Sequence, residues 1–509
     1  MAGNDVKQEG SNQHECSTID PVQLPYSIFT SRQKALIVAI ISTAAMFSGF
    51  ASNIYFPAIP TIASDLSVST ELINLTVTSY MIFQGLSPTL WGALADFQGR
   101  RITYICTLLI FFGACVGLAE TKYFYQLLIL RCLQSTGSAS TIAIGAGVMG
   151  DITTRDERGG YMGVFGAGLL VPLAVGPVLG GVFAGTIGWR AIFWFLAIFS
   201  GAFLIILIIF LPETLRSHVG NGSLPAKGLA KSPLAYIQRR RHHSKTSIAP
   251  PSLPLYSKKP KPKLDFLAPL RVLTGKSVIS AILFLSIYYA VWQMTVTALS
   301  TLFKRTYHLT EIQIGLTFIA NGVGCIIGTL TNGRFLDISY RRLKRQWESE
   351  LTGQEDPLSS SSSSFPLERA RLGTLWYWSA LQCIAVLIFG WTLDQRVHIA
   401  VPIICTFVLG WTAISLQNAV TTYLVDVFPT RGASASAALN LARCLMGAGG
   451  TAAIMPITNA LGVGWCFTMW TGVMLLALGL LKVQMRWGPR WRREIEEKEK
   501  GGRTNDGGD

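Results

Sequence analysis

Gly92-Ala93-Leu94-Ala95-Asp96-Phe97-Gln98-Gly99-Arg100-Arg101 and Gly333-Arg334-Phe335-Leu336-Asp337-Ile338-Ser339-Tyr340-Arg341-Arg342 carry a glycine, an aspartate and two arginines at the same offsets. Each stretch follows an apolar run, and each of those runs is the second in its own set of six. A generic basic turn accounts for one such stretch, whereas two in register indicate a duplicated bundle. The residue types suit a tight turn at a membrane surface. The glycine lets two helices approach, the carboxylate can face a helix N-terminus, and the arginine pair reaches the lipid headgroups.

A helix crossing a hydrocarbon core of roughly 30 Å needs about 20 mostly apolar residues. Outward from the repeated stretch, such runs occupy 36–55, 73–94, 102–118, 125–148, 162–186 and 191–211, then 278–303, 314–330, 375–393, 399–424, 433–460 and 465–481. These runs predict an all-α membrane protein of twelve transmembrane helices in two pseudo-symmetric six-helix bundles. Composition agrees: half of the 509 residues are hydrophobic and 14% are charged, against roughly 25% charged in a soluble domain.

The net charge of +15 does not indicate nucleic acid, because the basic residues sit between apolar runs and in the tail. Arg100, Arg101, Arg155, Arg158, Arg239 to Arg241, Lys258 to Lys263 and Arg341 to Arg345 fall on one side. Few basic residues, among them Lys122, Lys304, Arg305 and Arg396, fall on the other. The positive-inside rule then places both termini in the cytoplasm. The expected divisions are a polar tail at 1–34, a first bundle at 35–212, a basic Pro/Ser-rich linker at 213–276, a second bundle at 277–482 with a disordered insert at 346–367, and a charged tail at 483–509.

Most of the nine cysteines lie inside apolar runs as small hydrophobes, so neither disulfides nor a metal site is expected. Gly145-Ala146-Gly147-Val148-Met149-Gly150 matches a dinucleotide fingerprint but ends a membrane helix and follows no strand. Gly275-Lys276-Ser277 lacks the first glycine of a phosphate loop, since Leu270 stands there. No cofactor, ATP-driven step or enzyme activity is expected.

With these motifs in hand, the chain resembles the major facilitator superfamily from about residue 35 to residue 482. The stretch at Gly92 is similar to its signature loop, and Leu130-Arg131-Cys132-Leu133-Gln134 is similar to the R-x-x-q-G motif, with Ser135 where the family has glycine. Gly176-Pro177-Val178-Leu179-Gly180-Gly181 resembles the antiporter motif of helix 5. Gly163 fits one of the earlier glycines of that motif, and Pro172 replaces the other. Tyr55-Phe56-Pro57, Gly188-Trp189-Arg190, Pro212-Glu213-Thr214-Leu215 and the run from Tyr423 to Pro429 look like the fungal twelve-span drug:proton antiporters, in their quinidine-resistance-like branch.

The resemblance implies gating and proton coupling by Asp96, Arg100, Arg101, Arg131, Asp337, Arg341 and Arg342, and a hinge at Gly163, Gly176, Pro177, Gly180 and Gly181. Arg131 is also singled out by physics, because a charged side chain well inside a span is costly and rarely kept for packing. In an outward-facing state Asp96 is expected to meet the start of helix 11 near Arg431 to Ala433, and Asp337 to make the matching contact near helix 5. The expected substrate cavity comprises Asn53, Gln84, Gln134, Tyr289, Trp292, Gln293, Asn321, Gln417, Asn418 and Arg443. Tyr289, Trp292 and Gln293 share a helical face at i, i+3 and i+4.

The expected function is proton-coupled export of drugs, toxic compounds or secondary metabolites by alternating access, in a monomer of the plasma membrane or the vacuolar membrane. A carrier or facilitator for organic anions or polyamines stays open, as does a non-transporting membrane sensor.

Overall fold

A computed structural model of the chain describes residues 26–222, 275–352, 365–428 and 432–505, with Leu224, Gly228, Lys231, Arg271 and Leu273 besides. Most of the 213–276 linker and of the Ser-rich insert, the first 25 residues, and Arg431 lie outside the described residues.

Twelve long helices follow in order: α1 Ser31–Asn53, α2 Thr70–Gln98, α3 Arg100–Ala119, α4 Phe124–Ile152, α5 Arg155–Thr186, α6 Arg190–Phe210, α7 Ile279–Tyr307, α8 Glu311–Thr352, α9 Leu375–Asp394, α10 Ala400–Val427, α11 Gly432–Leu461 and α12 Val463–Asn505. Eleven described segments are long and apolar enough to cross a bilayer. The exception is α2, which Asn74, Thr76, Thr78, Ser79, Gln84 and Ser87 make too polar for the same criterion. Outward-facing Ile198, Tyr377 and Leu476, 69%, 78% and 80% exposed, form apolar surface suited to lipid. Polar caps begin several helices: Thr30 and Gln33 form a reciprocal capping box on α1, and Ser69 accepts the Leu72 N–H on α2.

The pairing of helices reveals the duplication. Within the first bundle α1 packs on α5, α2 on α4, and α3 on α4 and α6. Within the second, α7 packs on α11, α8 on α10, and α9 on α10 and α12. Adding six to each number in the first set yields the second. Between bundles α2 meets α11 and α5 meets α8, again a symmetric pair. Close approach at these seams requires residues without side chains. A methyl group built on Gly181 would lie 2.5 Å from the Glu311 carbonyl oxygen, and one on Gly315 2.6 Å from that of Pro177.

These seams occupy only part of the molecule. They run from Thr78, hydrogen-bonded to Thr451 at 3.0 Å, to Gly85 against Cys444, and from Gly185 against Ile312 to Gly322 against Ala174. Toward the end carrying Arg100 and Arg101, here the basic end, Gly92, Gly163, Gly166 and Gly333 face open space. The bundles are therefore joined at one end and parted at the other.

Two expectations are corrected. The second copy of the repeated stretch is not a turn, because α8 runs unbroken from Glu311 through Gly333 and Arg342 to Thr352. The position matching Gly99 is Tyr340. Gly99 stands at φ +112°, a conformation glycine adopts freely and tyrosine does not, so the second helix continues. The paired arginines of the first copy do not lie at lipid headgroups either: Arg100 and Arg101 are 9% and 2% exposed and turn into the protein.

Candidate functional site

At the basic end of the first bundle, Glu213 and Arg101 tie two helix ends reciprocally. The Glu213 carboxylate accepts the backbone N–H groups of Arg100 (2.9 Å) and Arg101 (3.2 Å), which begin α3, and those of Thr214 and Leu215 (both 3.0 Å). Arg101 donates to the carbonyls of Ile208 (2.5 Å) and Leu211, which end α6. A negative charge thus meets a positive helix end and a positive charge a negative one, which is the favourable sense for both dipoles. Arg100 pairs with Asp96 one turn back (2.6 Å) and with Asp151 of α4 (3.3 Å).

Asp96 is half-exposed in this arrangement, bonded within its own loop rather than to α11. Residue 431 is outside the described residues, and the nearest described part of α11 meets α2 higher up, at Gln84, whose carbonyl accepts the Asn440 amide at 3.2 Å. Asp337, Arg341 and Arg342 make no side-chain hydrogen bond or ion pair among the described residues. The contact near helix 5 expected for Asp337 is not made here.

Arg131 lies inside the first bundle, 1% exposed. Its guanidinium is held between the Tyr55 and Tyr80 rings, 4.3 Å from each centroid, and donates to the Ala51 carbonyl (3.0 Å) and Gln134 Oε1 (2.6 Å). Its Nε has no partner, and no carboxylate is within ion-pair reach among the described residues. A cation at mid-span costs roughly 2.5–3.5 kcal/mol on insertion scales. Two desolvated aromatic faces, each contributing about 2 kcal/mol, and two charge-assisted hydrogen bonds offset that cost. Gln134 is thereby taken out of the expected cavity and made a partner of Arg131. Tyr55 and Tyr80 were not legible as partners, because Tyr55 approaches from the segment just after α1 and Tyr80 from α2.

Arg443 has a different setting. It is half-buried on α11, donates from Nε and Nη2 to Asn440 Oδ1 (3.2 and 2.8 Å) and from Nη1 to Gln417 Oε1 of α10 (3.0 Å), and lies 4.8 Å from the Tyr289 ring centroid of α7. Of the expected cavity residues, Arg443, Gln417, Tyr289 and Gln84 gather here, at the level where α2 and α11 last touch.

Trp292 and Asn321 do not join them. Trp292 Nε1 donates to Asn321 Oδ1 at 3.0 Å, both are buried within the second bundle, and the void beside them is about 10 Å³, room for one water. Gln293 is also buried, Asn418 is half-buried beside Gln417, and Asn53 donates to the Gly49 carbonyl of its own helix at 2.8 Å. Of the hinge residues, Gly176 and Gly180 face α1 at Asn53 and Ile54, and Pro177 and Gly181 face α8. Gly163 faces open space.

At the end opposite the basic one, polar bonds cross between bundles. Glu311 of α8 accepts from Thr61 (2.9 Å) and from Lys304 (2.7 Å), while Glu71 of α2 accepts from Asn459 of α11 (2.7 Å), which itself accepts from Arg305 (3.1 Å). Phe56 stacks on Phe318 at 6.0 Å. Sequence reasoning passed over Glu71 and Glu311, since both read as ordinary helix-start acids.

The comparisons agree with this architecture. Residues 41–451 match the family model described as Major Facilitator Superfamily. The chain is similar to "Citrate exporter 1" of Aspergillus niger, 39% identical over 496 residues that cover 96% of this chain and 93% of that protein. It is also similar to "MFS antiporter QDR2" of Candida albicans, 35% identical over 459 residues, 89% of this chain and 88% of that protein. In fold it resembles the crystal structure of the human organic anion transporter MFSD10, with a TM-score of 0.53 at 17% identity over 88% of this chain and 99% of that one. With twelve helices in two matching bundles, a family model spanning both and relatives aligned end to end, the chain belongs to the Major Facilitator Superfamily.

Proposed function

We propose that the chain is a proton-driven exporter of small organic molecules working by alternating access, and that this structure is its state open to the cytoplasm. The observation that carries the reading is the one-sided contact between bundles, joined at Glu71 and Glu311 and parted at the basic end. The distribution of Lys and Arg assigns the basic end to the cytoplasm, so the cleft opens to the compartment from which an exporter loads. Both termini are then cytoplasmic.

Rocking the bundles the other way must break the Thr61–Glu311 and Glu71–Asn459 bonds and bring the start of α11 toward Asp96. Arg131, a cation without a carboxylate partner among the described residues, is the group through which proton movement is coupled. The similarity to a citrate exporter and to an antiporter supports export driven by an ion gradient. The plasma membrane is the site a fluorescent fusion tests, and a monomer suffices because one chain contains the whole cleft. The family transports rather than catalyses, and we assign the chain no enzymatic step.

The test is uptake of drugs, polyamines and organic acids into proteoliposomes with and without a pH gradient. Wild type should show gradient-dependent flux, and Arg131→Ala should lose the gradient dependence. Flux indifferent to both would leave a passive facilitator, and no flux of any compound would remove the export reading.

A further inference from the structure

We infer that Arg443 is the anchor for a carboxylate of the cargo, so that this transporter takes organic anions. The inference rests on the export reading above and names its substrate class. Arg443 stands toward the parted end of the α2–α11 seam: Gly85 meets Cys444 and the Gln84 carbonyl accepts from Asn440, whereas two turns farther along α2 Gly92 faces open space. A cargo entering between the parted bundles therefore meets Arg443 where the seam begins.

The chemistry of this point is one-sided. Arg443 directs one N–H from each of its three nitrogens to Asn440 and Gln417, which leaves one N–H on each Nη without an acceptor among the described residues. That pair is the fork a carboxylate fills with two parallel hydrogen bonds. The acceptors supplied by the protein are neutral amides, and no Asp or Glu pairs with Arg443 among the described residues, so its charge is oriented but not neutralised. The Tyr289 ring, 4.8 Å away, covers one face of the guanidinium and offers an apolar wall to the body of a ligand.

Arg131, the other arginine deep in a span, is shut between two tyrosines within the first bundle, so of these two mid-span arginines it is Arg443 whose charge is left uncompensated at the seam between bundles. An ammonium cargo would bring a second positive charge to this point. An anion removes the existing imbalance.

The experiment uses the full chain in nanodiscs and proteoliposomes, with citrate, succinate and benzoate as anionic probes, spermidine as the cationic probe and a neutral drug as the third class. Wild type should bind and transport at least one of the three carboxylates. Arg443→Gln should weaken that binding by at least about tenfold, the loss expected when a desolvated carboxylate loses its charged partner. Gln417→Glu keeps the guanidinium but supplies it with an internal carboxylate, and should weaken anion binding to a similar degree in a protein that still folds. Arg443→Lys should retain part of the anion affinity. If Arg443 only tethers α10 to α11, all cargo classes will weaken together in Arg443→Gln while Gln417→Glu leaves anion binding intact, and the inference fails. Transport of spermidine or the neutral drug with none of the carboxylates would overturn the inference and leave export standing. Failure of every compound to cross would overturn the export reading itself.

Discussion

The stretches 92–101 and 333–342 share four residues at matching offsets but do different structural work. The first breaks: Gly99 at φ +112° ends α2, α3 starts at once, and Glu213 and Arg101 bind the start of α3 to the end of α6. The second stays helical for its whole length and carries Asp337, Arg341 and Arg342 on a helix that runs on to Thr352. The difference comes from one position, glycine against Tyr340, and from one distant partner. Tyr340 instead packs on Phe365, ring centroids 5.2 Å apart, and is covered by Arg371 at 4.4 Å. A shared motif fixes which residues are available, not which of them meet a partner.

Removing Glu213 should break this comparison most strongly. Glu213→Ala strands four backbone N–H groups and is expected to cost about 3–5 kcal/mol of stability, seen as a large fall in the melting temperature of the purified protein. Asp337→Ala in the other copy should cost under about 0.5 kcal/mol. Equal losses would show that the two copies are fastened alike.

Glycine substitutions sharpen the contrast by their sign. Gly99→Ala places a methyl group 2.5 Å from Glu213 Oε2 at a positive φ, and should destabilise by about 1–3 kcal/mol. Gly333→Ala has open space around it within a helix and should stabilise by about 0.5–1 kcal/mol. Melting curves of the two variants should move in opposite directions.

Asp96→Asn removes one half-exposed partner of Arg100, which keeps Asp151, and should shift stability by under about 1 kcal/mol. If Asp96 meets α11 in the alternate state, flux will fall several times more than stability does, whereas matched falls would confine Asp96 to its own loop. The smallest effect belongs to Glu157, which also ties the basic end of the first bundle. A hydrogen bond from Lys34, at 2.5 Å, and the Thr154 N–H hold its carboxyl below the usual range. A depressed folded value means the contribution is complete above the unfolded pKa of about 4.3 and is lost as pH falls through the folded one. Lys34→Gln should therefore lower the melting temperature slightly at neutral pH, an effect that fades only as pH falls below the depressed folded pKa.

The first bundle's functional residues were legible as types and positions, but their directions were not. Arg131 stood out because charge inside an apolar run is visible along the chain, yet its tyrosine sandwich joins α4 to α2 and to the segment after α1. Arg100 and Arg101 looked like headgroup residues until Glu213, 112 residues away from Arg101, drew their backbone into a cap. Of the expected cavity, Trp292 and Asn321 satisfy one another inside the second bundle, which sequence spacing could not reveal.

The sequence by itself determined the membrane environment, the twelve spans and the duplication. Burying about 20 apolar residues in lipid is a local requirement, and repetition is read along the chain. Only the tertiary structure decided which bundle ends touch, where the charge of Arg443 lies relative to the cleft, and that one copy of a shared motif turns while the other continues. Those outcomes depend on hydrogen bonds and packing between residues far apart in the chain, which no local pattern encodes.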